Sequence, residues 1–280
     1  MFLNFIAQLP LNQGIKIISL HFFRSFSSLE VTILKRIFAF FCLMAPILSS
    51  AQSFWSTQVS YPRVASAWKA VKPQVESKLK KAGVSESNFY LFLRAFKQEK
   101  QLEVWVSSMA NGPFTLLETY DVCAASGSLG PKIKQGDQQV PEGVYFIDRF
   151  NPQSSFHLSL GLNYPNSIDR KRSGSQNPGG DIFIHGACVS IGCLAITDTY
   201  INELYILAVL ANSGKSQSIP VHIFPFRMNE QAMQLVDRIQ ASNQWKLFWE
   251  NLAIVYQHFE ATKNPGIWKG DGKGKYYLSK

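Results

Sequence analysis

The chain has 280 residues, of which 46% are hydrophobic, and Lys and Arg outnumber Asp and Glu by 28 to 19 for a formal charge of +9. This is enough for one well-cored domain with accessories, and no internal repeat or long low-complexity segment argues otherwise. The positive balance suits an anionic cell-wall polymer or membrane surface; nucleic acid is a poor partner, because no recognition motif or dense basic helix accompanies the charge.

The first segment sets the expected compartment. Lys35 and Arg36 precede an apolar run over residues 37–48, and Ser49, Ser50, Ala51 and Gln52 follow. A charged start, a short apolar stretch and a small-residue cleavage site after Ala51 read as a secretory signal peptide over residues 1–51. The run is short for a bilayer span, and bulky Phe40 and Phe41 argue against lipidation of Cys42. The thirty upstream residues do not fit a signal peptide, and a start at Val31 gives a better one than a start at Met44. Residues 1–51 carry Lys16, Arg24, Lys35 and Arg36 against Glu30, so the exported chain keeps a net +6.

Residues 63–82 form the first predicted helix, with Val64, Ala67, Trp68, Val71, Val75 and Leu79 at helical spacing and Gly83 as the stop. Residues 90–96 and 102–106 read as a β-hairpin around a charged turn, and residues 114–122 continue the sheet. Strands follow at 144–147 and 156–160, the first fed by a turn at Pro141 and Gly143. Residues 163–180, with Arg170, Lys171, Arg172 and three glycines, read as a polar loop placed to line a substrate cleft. Thr197 or Asp198 caps a helix over 201–210 that ends near Gly214. Residues 219–224 form a last strand, residues 228–240 and 244–259 two amphipathic helices, and a basic glycine-rich tail closes the chain.

The chemistry concentrates in residues 181–196. Ile182, Phe183 and Ile184 form a short strand that delivers His185 to its end, followed by Gly186, Cys188, Ser190, Gly192 and Cys193. Gly192 lets the backbone turn and approach a ligand closely. An imidazole beside a thiol is the minimal apparatus for a sulfur nucleophile, since the base removes the proton. Three other readings stand beside it: Cys as a small buried hydrophobe, a disulfide between Cys188 and Cys193, and a zinc site of His185, Cys188 and Cys193 without a visible fourth ligand.

This segment resembles the signature of the L,D-transpeptidase (YkuD-type) catalytic domain. Ile182, Phe183, Ile184, His185 and Gly186 match its first half, and Ser190, Ile191, Gly192, Cys193 and Leu194 its second. The loop between the halves is short, Ile191 replaces a second histidine, and Cys188 is additional; these features are similar to the YafK-like branch. Residues 130–137 and 140–147, and residues 156–165, extend the resemblance, which runs from about Asn88 to Ile223. It implies an α+β protein with a mainly-β sandwich catalytic domain over 88–226. A helical segment (52–87) precedes it and a helical extension with a basic tail (227–280) follows.

The resemblance also implies an activity: two-step acyl transfer on peptidoglycan stem peptides in a Gram-negative periplasm. Cys193 is the nucleophile and His185 the base, with no cofactor or metal. The Gly186 carbonyl orients the histidine, and the amides of Gly192 and Cys193 are the oxyanion donors. Tyr164, His157 and Ser190 are the substrate-contact candidates. An amine acceptor gives a cross-link or protein attachment; water gives cleavage, with a wall-linked lipoprotein as a further partner. A wall-binding module without activity is the non-enzymatic alternative. If His185 activates Cys193, the thiolate exists well below the ordinary thiol pKa of ~8.5.

Loss of Cys42 with the leader leaves three cysteines, so at least one thiol is free or paired between molecules. Cys123, at the end of an apolar strand, reads as a core residue. Among the other histidines, His222 reads as a core or sheet-face residue and His258 as part of a helix face. No carboxylate pair points to glycoside hydrolysis, and no Gly-rich loop to a nucleotide.

Overall fold

The computed structural model describes residues 53–213, 218–239 and 245–279; residues 1–51, where a leader is expected, lie outside them. From Gln52 onward the chain is one compact unit. Two helices open it, α1 (Phe54–Val59) and α2 (Pro62–Lys81). Pro62 sits in the first turn of α2, where its missing N–H costs nothing. Val64, Ala67, Val71, Val75 and Leu79 are buried along one face, while Trp68 is half-buried with its ring edge-on to Trp55 at 5.1 Å. Gly83, at φ 72°, turns the chain out of the helix.

Eight strands form one curled sheet: β1 (Tyr90–Phe96), β2 (Gln101–Ser107), β3 (Thr115–Asp121), β4 (Gly143–Asn151), β5 (Ser159–Leu162), β6 (Phe183–His185), β7 (Leu194–Ala195) and β8 (Pro220–Phe224). Their order is β3-β2-β1-β8-β4-β5-β6-β7. The first half of β4 pairs with β8 and the second half with β5, with a register irregularity between Ile147 and Arg149. Such a strand makes a sheet corner and folds two layers from one ladder. The curl brings the ends together: Ala124, just after β3, bridges Ala195 in β7. The α+β, mainly-β architecture is therefore present.

Both faces of the central strands are covered, which explains their near-continuous apolar sequence. Leu91, Leu93, Ala95, Val221 and Ile223 belong to the core shared with α2 and α4 (Asp198–Ser213). Phe92, Phe96 and Phe224 face the other way, among Trp249, Tyr256 and Phe259 of α6 (Lys246–Thr262). Buried carboxylates fasten the accessory helices to this frame. Glu203 of α4 accepts from Gln74 (3.0 Å), Lys78 (2.6 Å) and Tyr120 (2.8 Å), joining α2 and β3. Glu142, fully buried, accepts from Lys97 (3.0 Å), the Gly130 N–H (2.7 Å) and the Trp249 indole (2.8 Å), joining α6 to the loop before β4.

Three expectations change. The strand expected at 156–160 starts at Ser159, because His157 takes a left-handed turn at φ 68°. The polar loop at 163–180 contains α3 (Ser167–Ser173), started by a capping box between Asn166 and Asp169. The glycine-rich tail folds as a hairpin, β9 (Trp268–Gly270) with β10 (Tyr276–Leu278), pinned where Asn251 of α6 hydrogen-bonds the Tyr276 backbone at 2.7 and 3.0 Å. One further helix, α5 (Glu230–Ile239), lies between β8 and α6.

Candidate active site

Strand pairing sets the positions of His185 and Cys193. β6 runs antiparallel to β5 and parallel to β7, with Ile184 opposite Leu194 and His185 opposite Ala195. Ile184 and Leu194 both point into the core. Alternation along the strands then puts His185 on the other face, and Cys193, beside Phe183, shares that face one rung away. The Cys193 sulfur lies 3.8 Å from the Asp181 carbonyl and is a hydrogen-bond partner of the Phe183 backbone.

The imidazole is fixed on two sides. His185 Nδ1 is 2.6 Å from the Gly186 carbonyl oxygen, which makes Nδ1 the protonated nitrogen and leaves Nε2 as the basic one. The Phe156 ring lies against it, centroids 4.8 Å apart. Gly186 cannot carry a side chain here, because a Cβ would stand 2.4 Å from Asp198 Oδ1 and 3.1 Å from His157 Cβ. That Asp198 oxygen accepts the Ala187 N–H at 2.8 Å and holds the left-handed turn at Ala187, φ 58°. Thr197, not Asp198, receives the first-turn N–H of Tyr200, at 3.3 Å. Asp198 is thereby freed to brace the turn after His185.

The loop beyond is tied down at both ends. Cys188 is bonded to Cys123, with their Cα atoms 5.3 Å apart, and both residues are exposed. The expectation that Cys123 is a buried core thiol is thus corrected. The cause is the closure of the sheet: Cys123 donates its N–H to the Ala195 carbonyl at 2.9 Å, which carries it to the rim of the loop between His185 and Cys193. The bond also removes Cys188 from the zinc and Cys188–Cys193 readings, and Cys193 is the free cysteine among the described residues. Ser190 Oγ accepts the amides of Gly192 (3.2 Å) and Cys193 (2.9 Å) and donates to the Cys193 carbonyl (2.7 Å). Both expected oxyanion donors are therefore committed to Ser190 in this state, and Ser190 is part of the loop's internal support. Gly192, at φ 133°, has the Gln139 carbonyl 3.3 Å from where a Cβ would be.

The electrostatics differ from the expectation of a ready-made thiolate. Burial pushes the Cys193 thiol above its ordinary range; the Phe183 N–H opposes this, Asp181 adds to it, and the Lys132 cation opposes it more weakly. Burial likewise lowers His185, against the Gly186 carbonyl that favours its charged form. Burial thus favours the neutral form of both the thiol and the imidazole, because an apolar surround disfavours either charge.

The remaining candidates are held by other partners. His157 Nε2 is 2.7 Å from Asn202 Oδ1 on α4, and the His157 carbonyl accepts from Arg63 of α2, so this ring is tied to the helices. Tyr164 is buried and shares its hydroxyl proton between the carbonyls of Lys132 (3.3 Å) and Pro178 (3.1 Å), bracing two loops. Sequence reasoning did not single out Phe156, Asp198, Lys132 or the Arg149–Asp181 pair. Lys132 is buried with Asp137 at 2.6 Å. Arg149 pairs with Asp181 at 2.9 Å on the rim and covers the Phe183 ring at 4.9 Å. Asp198 has a legible signal, as one of two adjacent capping residues; the others have none without the fold.

Comparison of the sequence with known proteins identifies the family. The family model of the YkuD L,D-transpeptidase catalytic domain matches residues 96–223. YafK of Escherichia coli (strain K12), provisionally named an L,D-transpeptidase, is 36% identical over 192 residues, covering 68% of this chain and 74% of that protein. Among solved structures, the helical cell shape determining protein Pgp2 of Campylobacter jejuni aligns at TM-score 0.40 and 16% identity, covering 70% of this chain and 79% of its own. L,D-transpeptidase 1 of Mycobacterium tuberculosis aligns at TM-score 0.28 and 15% identity, covering 49% and 62%. On the sequence matches, the chain belongs to the YkuD-type L,D-transpeptidase family.

Proposed function

We propose that the protein is an exported cysteine acyltransferase of the Gram-negative periplasm that acts on peptidoglycan stem peptides through Cys193 and His185. The observation that carries this reading is a free thiol, Cys193, next to a strand that pairs in register with the one ending at His185, whose Nδ1 is held by the Gly186 carbonyl. That contact leaves Nε2 as the basic nitrogen, which supports His185 as the base. The family membership supports a transferase-type enzyme, and the basic chain suits an anionic wall polymer.

Burial that favours both neutral forms points to general-base attack. His185 Nε2 takes the Cys193 proton as the C–S bond forms, which avoids charging either group in its buried resting state. Collapse of the tetrahedral adduct breaks the C–N bond, and the imidazolium gives its proton to the departing amine. A thioester on Cys193 remains. An acceptor amine or a water then attacks it, loses a proton to His185, and the expelled thiolate recovers that proton. The amine outcome forms a new amide; the water outcome releases a carboxylic acid, and with a protein as the departing amine it frees a wall-linked protein. Stabilising the oxyanion through the Gly192 and Cys193 amides requires Ser190 Oγ to release them as substrate enters; such donors are typically worth about 3 kcal/mol each.

The test is digestion of purified sacculi followed by mass spectrometry. Loss of stem-terminal residues or new cross-links with wild type, absent with Cys193→Ala, is expected. Unchanged sacculi with a folded wild-type protein would overturn the reading.

A further inference from the structure

A cavity of about 870 Å³ opens between the sheet face under α6 and the C-terminal hairpin, and none of the residues around Cys193 lines it. Its walls include Phe146 from β4, His222 from β8, His258 from α6 and Trp268 from the hairpin, with Asn111 and Asn264 at surrounding loops. The size falls within the range of small-molecule sites. Among the described residues no Asp, Glu, Lys or Arg lines it, although the chain is strongly charged overall. The lining instead combines aromatic faces with amide, hydroxyl and imidazole groups. Phe146 and Ile267 are exposed, 41% and 66%, and the Trp268 indole is held by the Pro265 carbonyl at 2.8 Å.

His222 makes this more than an apolar recess. It is fully buried, and neither ring nitrogen has a hydrogen-bond partner among the described residues. Buried polar groups are almost always paired, so two orphan atoms on one ring of the cavity wall need an explanation. Burial, the neighbouring Arg94 and His258 hold its pKa down to about 3, so the ring is neutral at any working pH. A neutral imidazole offers one donor and one acceptor.

We propose that this cavity is a second ligand site, one that takes an uncharged N-acetylated sugar of a glycan strand. The acetamido group carries an N–H and a C=O that point in opposite directions, so it can pair one of the two unpartnered His222 ring nitrogens, donating to the acceptor or accepting from the donor. The sugar ring's C–H face suits Trp268 and Phe146, and its hydroxyls suit Asn111 and Asn264. An acyl chain would leave the histidine unpaired, and a charged ligand would find no counter-charge among the described lining residues. The choice of sugar rests on the wall-polymer reading of the Cys193 site; the site itself rests on the cavity and His222.

The test titrates tri-N-acetylchitotriose into the full chain by calorimetry, with turnover of a sugar-free stem tetrapeptide measured in parallel. Saturable binding is expected, weakened about tenfold by Trp268→Ala, as for loss of an aromatic contact. His222→Leu should weaken it similarly while leaving the unfolding midpoint unchanged or raised, because it removes unsatisfied polar atoms. Cys193→Ala should bind as wild type does. Turnover without chitotriose binding would overturn the second site and leave the catalytic reading intact; binding without turnover would do the reverse. Equal binding by both cavity variants, or equal binding of the fully de-N-acetylated trimer, would also overturn the proposal.

Discussion

Replacing Cys123 and Cys188 together by serine removes a covalent clamp that closes a segment of 65 residues. The chain-entropy relation for a loop of that length gives about 4 kcal/mol of stabilisation. Both residues are exposed, so the serines leave no buried orphan and the loss reports the cross-link itself. For a chain of this size, 4 kcal/mol corresponds to a fall in Tm of about 8–16 °C. Activity should fall with it, by about tenfold, because Cys188 lies between His185 and Cys193 and the bond anchors their loop to the end of β3. Denaturant titration of the double variant against oxidised wild type measures the first effect, and stem-peptide turnover well below the transition the second. If the oxidised wild type carries the bond by mass spectrometry and the double variant loses less than about 1 kcal/mol, the entropic argument is wrong. If it loses stability but keeps full turnover, the loop does not need the clamp.

Alkylation of Cys193 should be slow at neutral pH and rise only above the ordinary thiol range of ~8.5, because burial favours the neutral thiol in the resting site. The acid limb of kcat/KM should lie below ~6.5, since a lowered His185 pKa keeps the base free until the medium is more acidic. Fast alkylation at pH 6 would instead require a preformed ion pair. Gly186→Ala forces a Cβ to 2.4 Å from Asp198 Oδ1, and should cost about 1–3 kcal/mol by overpacking while shifting the Gly186 carbonyl off Nδ1; full activity would show that this carbonyl does not orient the base. Glu142→Ala removes the carboxylate from the buried Lys97, which keeps the Gly130 and Val140 carbonyls, and strips the Gly130 N–H and the Trp249 indole of their acceptor, with an expected loss of about 3–5 kcal/mol in denaturant titration. A neutral result would mean that water replaces the carboxylate.

The parts of the fold legible in the sequence are those whose signal is local. The stripe from Val64 to Leu79 and the paired apolar runs of β1 and β2 carry their own periodicity, and the buried face of α2 and the hairpin register follow from it. His185 and Cys193 were legible because the short loop between them keeps them on adjacent strands. What was missed depends on distant partners. Cys123 reads as a core residue until the sheet curls and brings it to Ala195 and Cys188. Helix α3 is masked by its charged residues, although Asn166 and Asp169 give the capping-box spacing. The β9–β10 hairpin has little strand propensity of its own and depends on Asn251 of α6. The ionisation of the pair was misjudged because composition shows which groups are neighbours, whereas burial decides which charge state they favour.

The central claim is that Cys193 carries the acyl group, and intact-protein mass spectrometry after rapid acid quench tests it most directly. Wild type mixed with a stem tetrapeptide should show a mass increase equal to the acyl fragment, mapped to Cys193 by digestion. That increase should be labile to hydroxylamine, as a thioester is, and absent in Cys193→Ala and in His185→Ala. Turnover of the same peptide by Cys193→Ala, or an adduct mapped to any other residue, would contradict the account.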